Sequence, residues 1–317
     1  MNKILITRPL PVSVMQKAET LGDVSARART TPLSEDEMLS ALRDYDIVLL
    51  TLGDLFSQEI FKKIETPKCK LLANFGVGYN HIDVNAAKSR GILVSNTPGA
   101  VTDATADIAL TLMLMTARRA GEGERLLRAG QWQGWHPTQM LGLHMSGKTV
   151  AIIGMGRIGE AIARRCHFGF GMQVVYASRS EKQMDFPATQ LLSVKEAVAH
   201  ADFVVAAVPG GATTKHLVGQ DLFASMPSHS IFVNISRGDV VDEAALIAAL
   251  QTGQIGGAGL DVYELEPVVP DALVQLENVT LLPHLGTASL EVRTGMGDMA
   301  LKNIEDFIEG RSPMNLV

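Results

Sequence analysis

The chain has 317 residues, 46% of them apolar, which is enough for about two domains of roughly 150 residues, each with its own core. Its 28 basic and 34 acidic residues give a net charge of −6 at pH 7, and no Lys/Arg run is long enough to track a phosphate backbone, so nucleic acid is not an expected partner. The most apolar stretch, Ile108 to Ala117, ends at Arg118-Arg119, well short of the roughly twenty residues of a bilayer span, so no membrane partner is expected either.

Met1-Asn2-Lys3 leads directly into Ile4-Leu5-Ile6 with no room for a leader's apolar region, and a cytoplasmic protein is expected. The two cysteines, Cys69 and Cys166, have no metal-binding spacing and are expected as buried thiols, with no metal site. As far as about Gly99, the runs Ile4-Leu5-Ile6, Ile47 to Leu50, Leu71-Leu72-Ala73 and Ile92-Leu93-Val94 alternate with helix-compatible stretches, the pattern of a parallel sheet covered by helices. Asp103 is placed to cap a long helix reaching about Arg119. Gly130 to Pro137, with Trp132 and Trp135, interrupts the pattern, and a second βα series begins at Thr149. Its apolar runs, Val150 to Ile153, Val174 to Tyr176, Phe203 to Ala207, Ile231 to Ile235, Ala258 to Leu260 and Val279 to Leu282, supply the strands of a doubly wound domain. The last stretch, Ser289 to Ile308, reads as a helix that returns to the first domain.

Directly after the Val150 to Ile153 run comes Gly154-Met155-Gly156-Arg157-Ile158-Gly159, followed by a helical segment. In that setting the first glycine allows a tight turn, the second lets the backbone approach a pyrophosphate, and the third lets helix and strand pack closely. At the end of the next strand, Ala177-Ser178-Arg179-Ser180 lacks the carboxylate that would bind a ribose diol. The Arg179 guanidinium, flanked by Ser178 and Ser180, suits a 2′-phosphate, so NADPH is the expected cofactor, with NADH as the alternative.

Three later segments carry reactive groups just past apolar strands: Asn234-Ile235-Ser236-Arg237-Gly238, Asp261 to Pro267 with Glu266, and Pro283-His284-Leu285-Gly286. Reduction of a ketone builds alkoxide charge, which needs a proton donor and a nearby cation. His284 can supply the proton, an ionised Glu266 can stabilise the imidazolium, and Arg237 can hold a substrate carboxylate and polarise its keto oxygen. Any one of the three alone would read as an ordinary loop residue.

Taken together, Gly154 to Gly159, Asn234 to Val241, Gly259 to Pro267 and Pro283 to Gly286 resemble the D-isomer-specific 2-hydroxyacid dehydrogenases over nearly the whole chain, closest to the glyoxylate/hydroxypyruvate (2-ketogluconate) reductases. The resemblance implies two Rossmann-like or flavodoxin-like α/β domains with parallel sheets and an active site in the cleft between them. Residues 1–99 plus 286–317 would form the substrate domain, and 100–285 the NAD(P)-binding domain. It implies Arg237, Glu266 and His284 as the catalytic set, and a substrate site of Leu52, Val77 and Gly78 with Arg237 and His284, the amides of Val77 and Gly78 binding the carboxylate. Implied cofactor contacts are Thr105, Gly154, Met155, Gly156, Arg157, Ile158, Gly159, Ser178, Arg179, Ser180, Val208, Pro209, Thr214, Ile235, Ser236, Arg237, Asp261, His284 and Gly286. A homodimer formed through the Trp132 to Trp135 segment is implied as well.

The expected activity is NADPH-dependent reduction of glyoxylate, hydroxypyruvate or 2-ketogluconate to the D-2-hydroxy acid. The alternatives are an NADH-preferring dehydrogenase of another small substrate, and a cofactor-sensing, corepressor-like binding protein. Formate dehydrogenases resemble this fold with glutamine in place of Glu266. A chain ending at Val317 leaves no room for the regulatory domain often found in phosphoglycerate dehydrogenases, and no spare basic pair is evident near Thr51-Leu52-Gly53 for a phosphorylated substrate.

Overall fold

The apolar runs of the first hundred residues become five parallel strands in a computed structural model that describes residues 1–317. β1 (Lys3–Ile6), α1 (Val12–Ala18), β2 (Asp23–Ala26), α2 (Glu35–Asp44), β3 (Ile47–Thr51), α3 (Gln58–Lys62), β4 (Leu71–Phe75), α4 (Val84–Ser89) and β5 (Leu93–Ser95) follow one another, and the sheet order is β2-β1-β3-β4-β5. All five residues of β3 are buried, as expected of a central strand covered on both faces. One face carries Leu42, Val48, Phe61 and Leu72, and the other Ile4, Ile6, Val14 and Leu71. The C-terminal helix, Leu290–Ile308, joins the second of these faces through Ala300, Leu301 and Ile304. One compact unit thus comprises Met1–Val101 and Ala288–Val317.

The other unit, Thr102–Thr287, opens with α5 (Thr102–Ala117) and α6 (Ala120–Arg128). Asp103, expected as a cap, lies inside the first turn of α5, and its carboxylate is taken by Arg165. Then come β6 (Thr149–Ile153), α7 (Arg157–Phe170), β7 (Gln173–Ala177), β8 (Thr189–Gln190), α8 (Val194–Val198), β9 (Phe203–Ala206), α9 (Gln220–Phe223), β10 (Ile231–Asn234), α10 (Glu243–Gln251), β11 (Gly257–Leu260), α11 (Asp271–Val274) and β12 (Val279–Leu281). All seven strands are parallel, in the order β12-β11-β10-β9-β6-β7-β8, so the winding direction reverses between β6 and β9. Ligands bind outside the carboxyl ends of the strands at such a switch point. Cys69 and Cys166 are both buried, and burial pushes each thiol up to about 12. No helix is long and apolar enough to cross a membrane.

Candidate active site

The glycine turn stands at the switch point. Gly154, with φ of +97°, leaves β6 so close to the strand beside it that a Cβ would lie 2.7 Å from both the Ala207 carbonyl oxygen and the Val208 side chain. A Cβ at Gly159 would overlap the Gly154 carbonyl, so only glycine lets α7 approach this closely. At Gly156, in contrast, a Cβ would meet nothing within 4 Å. The turn is therefore packed below and open above. Gly156 is the N-cap of α7 and offers no side chain to it, which leaves the first-turn amides of Arg157, Ile158 and Gly159 available to an anion. That arrangement fits a dinucleotide pyrophosphate. The Met155 side chain is buried in the core, so only its backbone faces this turn.

Around the turn, β7 ends at Ala177, and none of Ser178, Arg179 and Ser180 is acidic. Ser178 bends the next residues by donating from Oγ to the Ser180 carbonyl at 2.7 Å, and Arg179 is exposed at the bend with no ion-pair partner in the chain. After β9, the Thr214 hydroxyl donates to the Pro209 carbonyl at 2.7 Å and closes the loop that begins at Val208. Thr105, on α5, donates to the Gly286 carbonyl at 3.3 Å.

The strand ends β10, β11 and β12 bring the reactive groups into one region. Asn234 shapes the turn past β10, its Oδ1 accepting from the Ser236 amide and its Nδ2 donating to the Arg237 carbonyl, both at 3.0 Å. Ile235 and Ser236 are buried there. Burial depresses the pKa of the Arg237 guanidinium, against the opposing charges of Glu266 and Asp239. Past β12, His284 Nδ1 stands 2.8 Å from Glu266 Oε2, with the two side chains 31% and 30% exposed. Burial raises the Glu266 carboxyl, but the hydrogen bond and charge of His284, the Tyr263 amide and Arg237 together hold its pKa below the usual glutamate range. An ionised carboxylate only accepts, so Nδ1 carries a proton and Nε2 is the nitrogen left to face a substrate.

His284 occupies left-handed backbone, φ +54°, which is costly for a residue with a Cβ. Asp261 holds it there. The buried carboxylate accepts from the amides of Leu285 (2.6 Å) and Gly286 (2.8 Å), while its backbone carbonyl accepts from the His284 amide at 3.0 Å. Burial pushes the Asp261 carboxyl up, and those two amides and the charge of His284 pull it back in part. Both oxygens are spent inside the chain, so this side chain supports the histidine loop directly.

In the other unit, the amides of Val77 and Gly78 past β4 have no partner within the chain, and Leu52 past β3 is exposed. Arg8 reaches the Leu52 loop from β1, donating to the Leu52 carbonyl at 2.5 Å and to Thr51 Oγ1, and pairing with the buried Asp54 at 3.2 Å. Arg27, whose charge Arg8 feels, pairs with Glu37 at 3.1 Å. Both arginines are engaged within the chain, so neither is spare for a phosphate.

Sequence reasoning missed the brace behind Glu266. Glu243, buried at the start of α10, accepts the Glu264 amide at 2.9 Å, and Tyr263 donates from its hydroxyl to the Leu282 carbonyl at 2.9 Å. Glu264 also binds His216 Nε2 at 2.7 Å, a second histidine in left-handed backbone. Their only signal in the sequence was their position beside the reactive segments.

A family model described as D-isomer specific 2-hydroxyacid dehydrogenase, NAD binding domain, matches residues 110–286. A glyoxylate reductase of Thermococcus kodakarensis is 40% identical over 99% of this chain and 96% of its own length. A solved D-isomer specific 2-hydroxyacid dehydrogenase from a Polaromonas species superposes with a TM-score of 0.93 at 34% identity, covering 100% of this chain and 99% of that one. An NADPH-dependent glyoxylate/hydroxypyruvate reductase from Sinorhizobium meliloti, solved with NADP and malonate, gives a TM-score of 0.88 at 33% identity over 100% of this chain and 96% of that one.

Proposed function

The chain belongs to the D-isomer specific 2-hydroxyacid dehydrogenases, and from that premise we propose that it reduces small 2-keto acids, among them glyoxylate, hydroxypyruvate and 2-ketogluconate, to D-2-hydroxy acids with NADPH. The observation that carries this reading is the His284–Glu266 pair at 2.8 Å, set in the field of Arg237 past three adjacent strand ends. The Gly154–Gly159 turn, the loops at Val208, Pro209 and Thr214, and Thr105, Ile235, Ser236 and Gly286 would hold the dinucleotide, with Ser178, Arg179 and Ser180 at its 2′-phosphate. Bound there, a nicotinamide supplies the hydride that reduces the carbonyl carbon. His284 gives the proton from Nε2 to the carbonyl oxygen as the C–O double bond becomes a single bond, and Glu266 stabilises the imidazolium before transfer. Arg237 polarises the keto oxygen, and the amides of Val77 and Gly78 take the carboxylate. Leu52 faces the remaining substituent. Exposed Arg179 without a carboxylate beside it supports NADPH over NADH.

We also assign the protein to the cytoplasm as a homodimer. The reading is tested by following NADPH and NADH oxidation with glyoxylate, hydroxypyruvate and 2-ketogluconate. Turnover with at least one of them, faster with NADPH, is expected. A protein that binds NADPH but turns over no small 2-keto acid would be a cofactor-sensing binding protein instead.

A further inference from the structure

The loop Gly76-Val77-Gly78 is held from beneath by side chains that take no part in the proposed chemistry. Asn74, near the end of β4 and 1% exposed, donates from Nδ2 to the carbonyls of Gly76 and Gly78, each at 3.0 Å. Buried Asn96, past β5, donates from Nδ2 to the Val77 carbonyl at 2.8 Å, and the Thr97 amide adds a second bond to the Gly76 carbonyl at 3.0 Å. All three carbonyls of the loop are thus drawn inward. In a trans peptide the carbonyl and the following N–H point in opposite directions within one rigid plane. Fixing the Gly76 carbonyl therefore aims the Val77 N–H outward, and fixing the Val77 carbonyl does the same for the Gly78 N–H.

The two asparagines are themselves fixed. With Nδ2 of Asn74 committed to two carbonyls, its Oδ1 must accept, and buried His81 meets it through Nε2 at 3.0 Å. Asn303 of the C-terminal helix donates to the Asn96 carbonyl at 3.1 Å, and the Asn96 amide donates to the Asn315 carbonyl at 3.0 Å. These buried bonds favour a single arrangement of the loop.

We propose that Asn74 and Asn96 are positioning residues for keto-acid binding, holding the amides of Val77 and Gly78 in the orientation a carboxylate requires before any substrate arrives, with His81 and Asn303 fixing them in turn. This deepens the reading of the chain as a 2-keto acid reductase and rests on it. Preorganised donors bind an anion without first turning a peptide plane, so their loss should appear in substrate affinity more than in the chemical step.

The test pairs calorimetric binding of oxalate, in the presence of NADPH, with steady-state kinetics on glyoxylate for Asn96→Ala and Asn74→Ala. Oxalate Kd and glyoxylate KM are expected to rise about tenfold, the equivalent of one hydrogen bond's worth of affinity, with kcat and NADPH Kd nearly unchanged. Asn96→Asp, which sets an acceptor against the Val77 carbonyl, should weaken oxalate more than alanine does. Wild-type affinity for oxalate in the variants, equal losses of oxalate and NADPH, or no oxalate binding by the wild-type protein would each overturn the proposal. If the wild-type protein binds oxalate but reduces no keto acid, the proposed activity fails, while the oxalate comparison still decides the roles of Asn74 and Asn96. Should Asn74→Ala not fold, Asn96, whose side chain makes a single bond to the loop, decides alone.

Discussion

His284 sits in a backbone conformation unfavourable to any side chain, and its neighbours explain why it stays there. Asp261 takes the two amides that follow it, and Glu266 takes its ring. His284→Ala should lower kcat for keto-acid reduction by about 10²–10⁴-fold, the usual range for one general acid, with NADPH affinity retained. Glu266→Gln should cost less in rate. Glutamine can keep a hydrogen bond to the ring but not the negative charge beside it, and steady-state kinetics on glyoxylate should place this variant between the wild-type protein and His284→Ala. The depressed Glu266 carboxyl keeps its charge through neutrality, and the pair's contribution to stability is lost as pH falls through that lowered value, which acid denaturation of the wild-type protein and Glu266→Gln would show. At the other end of the site, Arg179→Asp should cut kcat/KM with NADPH by about tenfold or more and shift preference toward NADH, since a paired phosphate contact is replaced by repulsion. An unchanged cofactor ratio would return Arg179 to an ordinary exposed arginine. These residues were legible because each follows an apolar run. Asp261's hold on Leu285 and Gly286, and Arg8's on Asp54, join positions with no periodic relation, so nothing in the sequence pairs them.

At the scale of elements, the strands of both sheets were legible as apolar runs because central parallel strands are buried on both faces. The ends were less so. β5 runs Leu93–Ser95, one residue later than the Ile92-Leu93-Val94 run, because fully buried Ile92 enters the core just before the strand. The start of α5 misled through Asp103, a good capping residue whose carboxylate an arginine from α7 claims instead. The turn between β10 and α10 holds a constraint that only the fold reveals: a Cβ on Gly238 would overlap the backbone carbonyl of Tyr263, three residues before Glu266. Gly238→Ala should therefore push the 263–266 segment away from Glu243. Thermal melting should show a loss of about 1–3 kcal/mol, the usual cost of overpacking, together with a lower kcat as Glu266 moves. A variant with wild-type melting and kcat would show that the segment yields freely.

At the scale of the whole molecule, the stretch between α6 and β6, residues 129–148, contains neither helix nor strand yet displays Trp132 and Trp135, 52% and 79% exposed, with Leu141 exposed nearby. Long structureless loops in ordered domains tend to be functional, and clustered exposed apolar groups mark contacts with other molecules. This loop is also tied down, the Leu143 amide bonding the Ala117 carbonyl at the end of α5 at 2.8 Å, so it presents its aromatics from a fixed base. A net charge of −6 over 317 residues opposes self-association only weakly. A second copy of the chain is the proposed partner, and sedimentation at micromolar concentration should give the mass of a dimer. Trp132→Ala with Trp135→Ala should shift that mass to a monomer. Within one protomer these side chains bury little, so the circular dichroism spectrum and NADPH affinity should survive the change. A wild-type protein that sediments as a monomer, or a double variant that remains dimeric, would remove this loop from the interface.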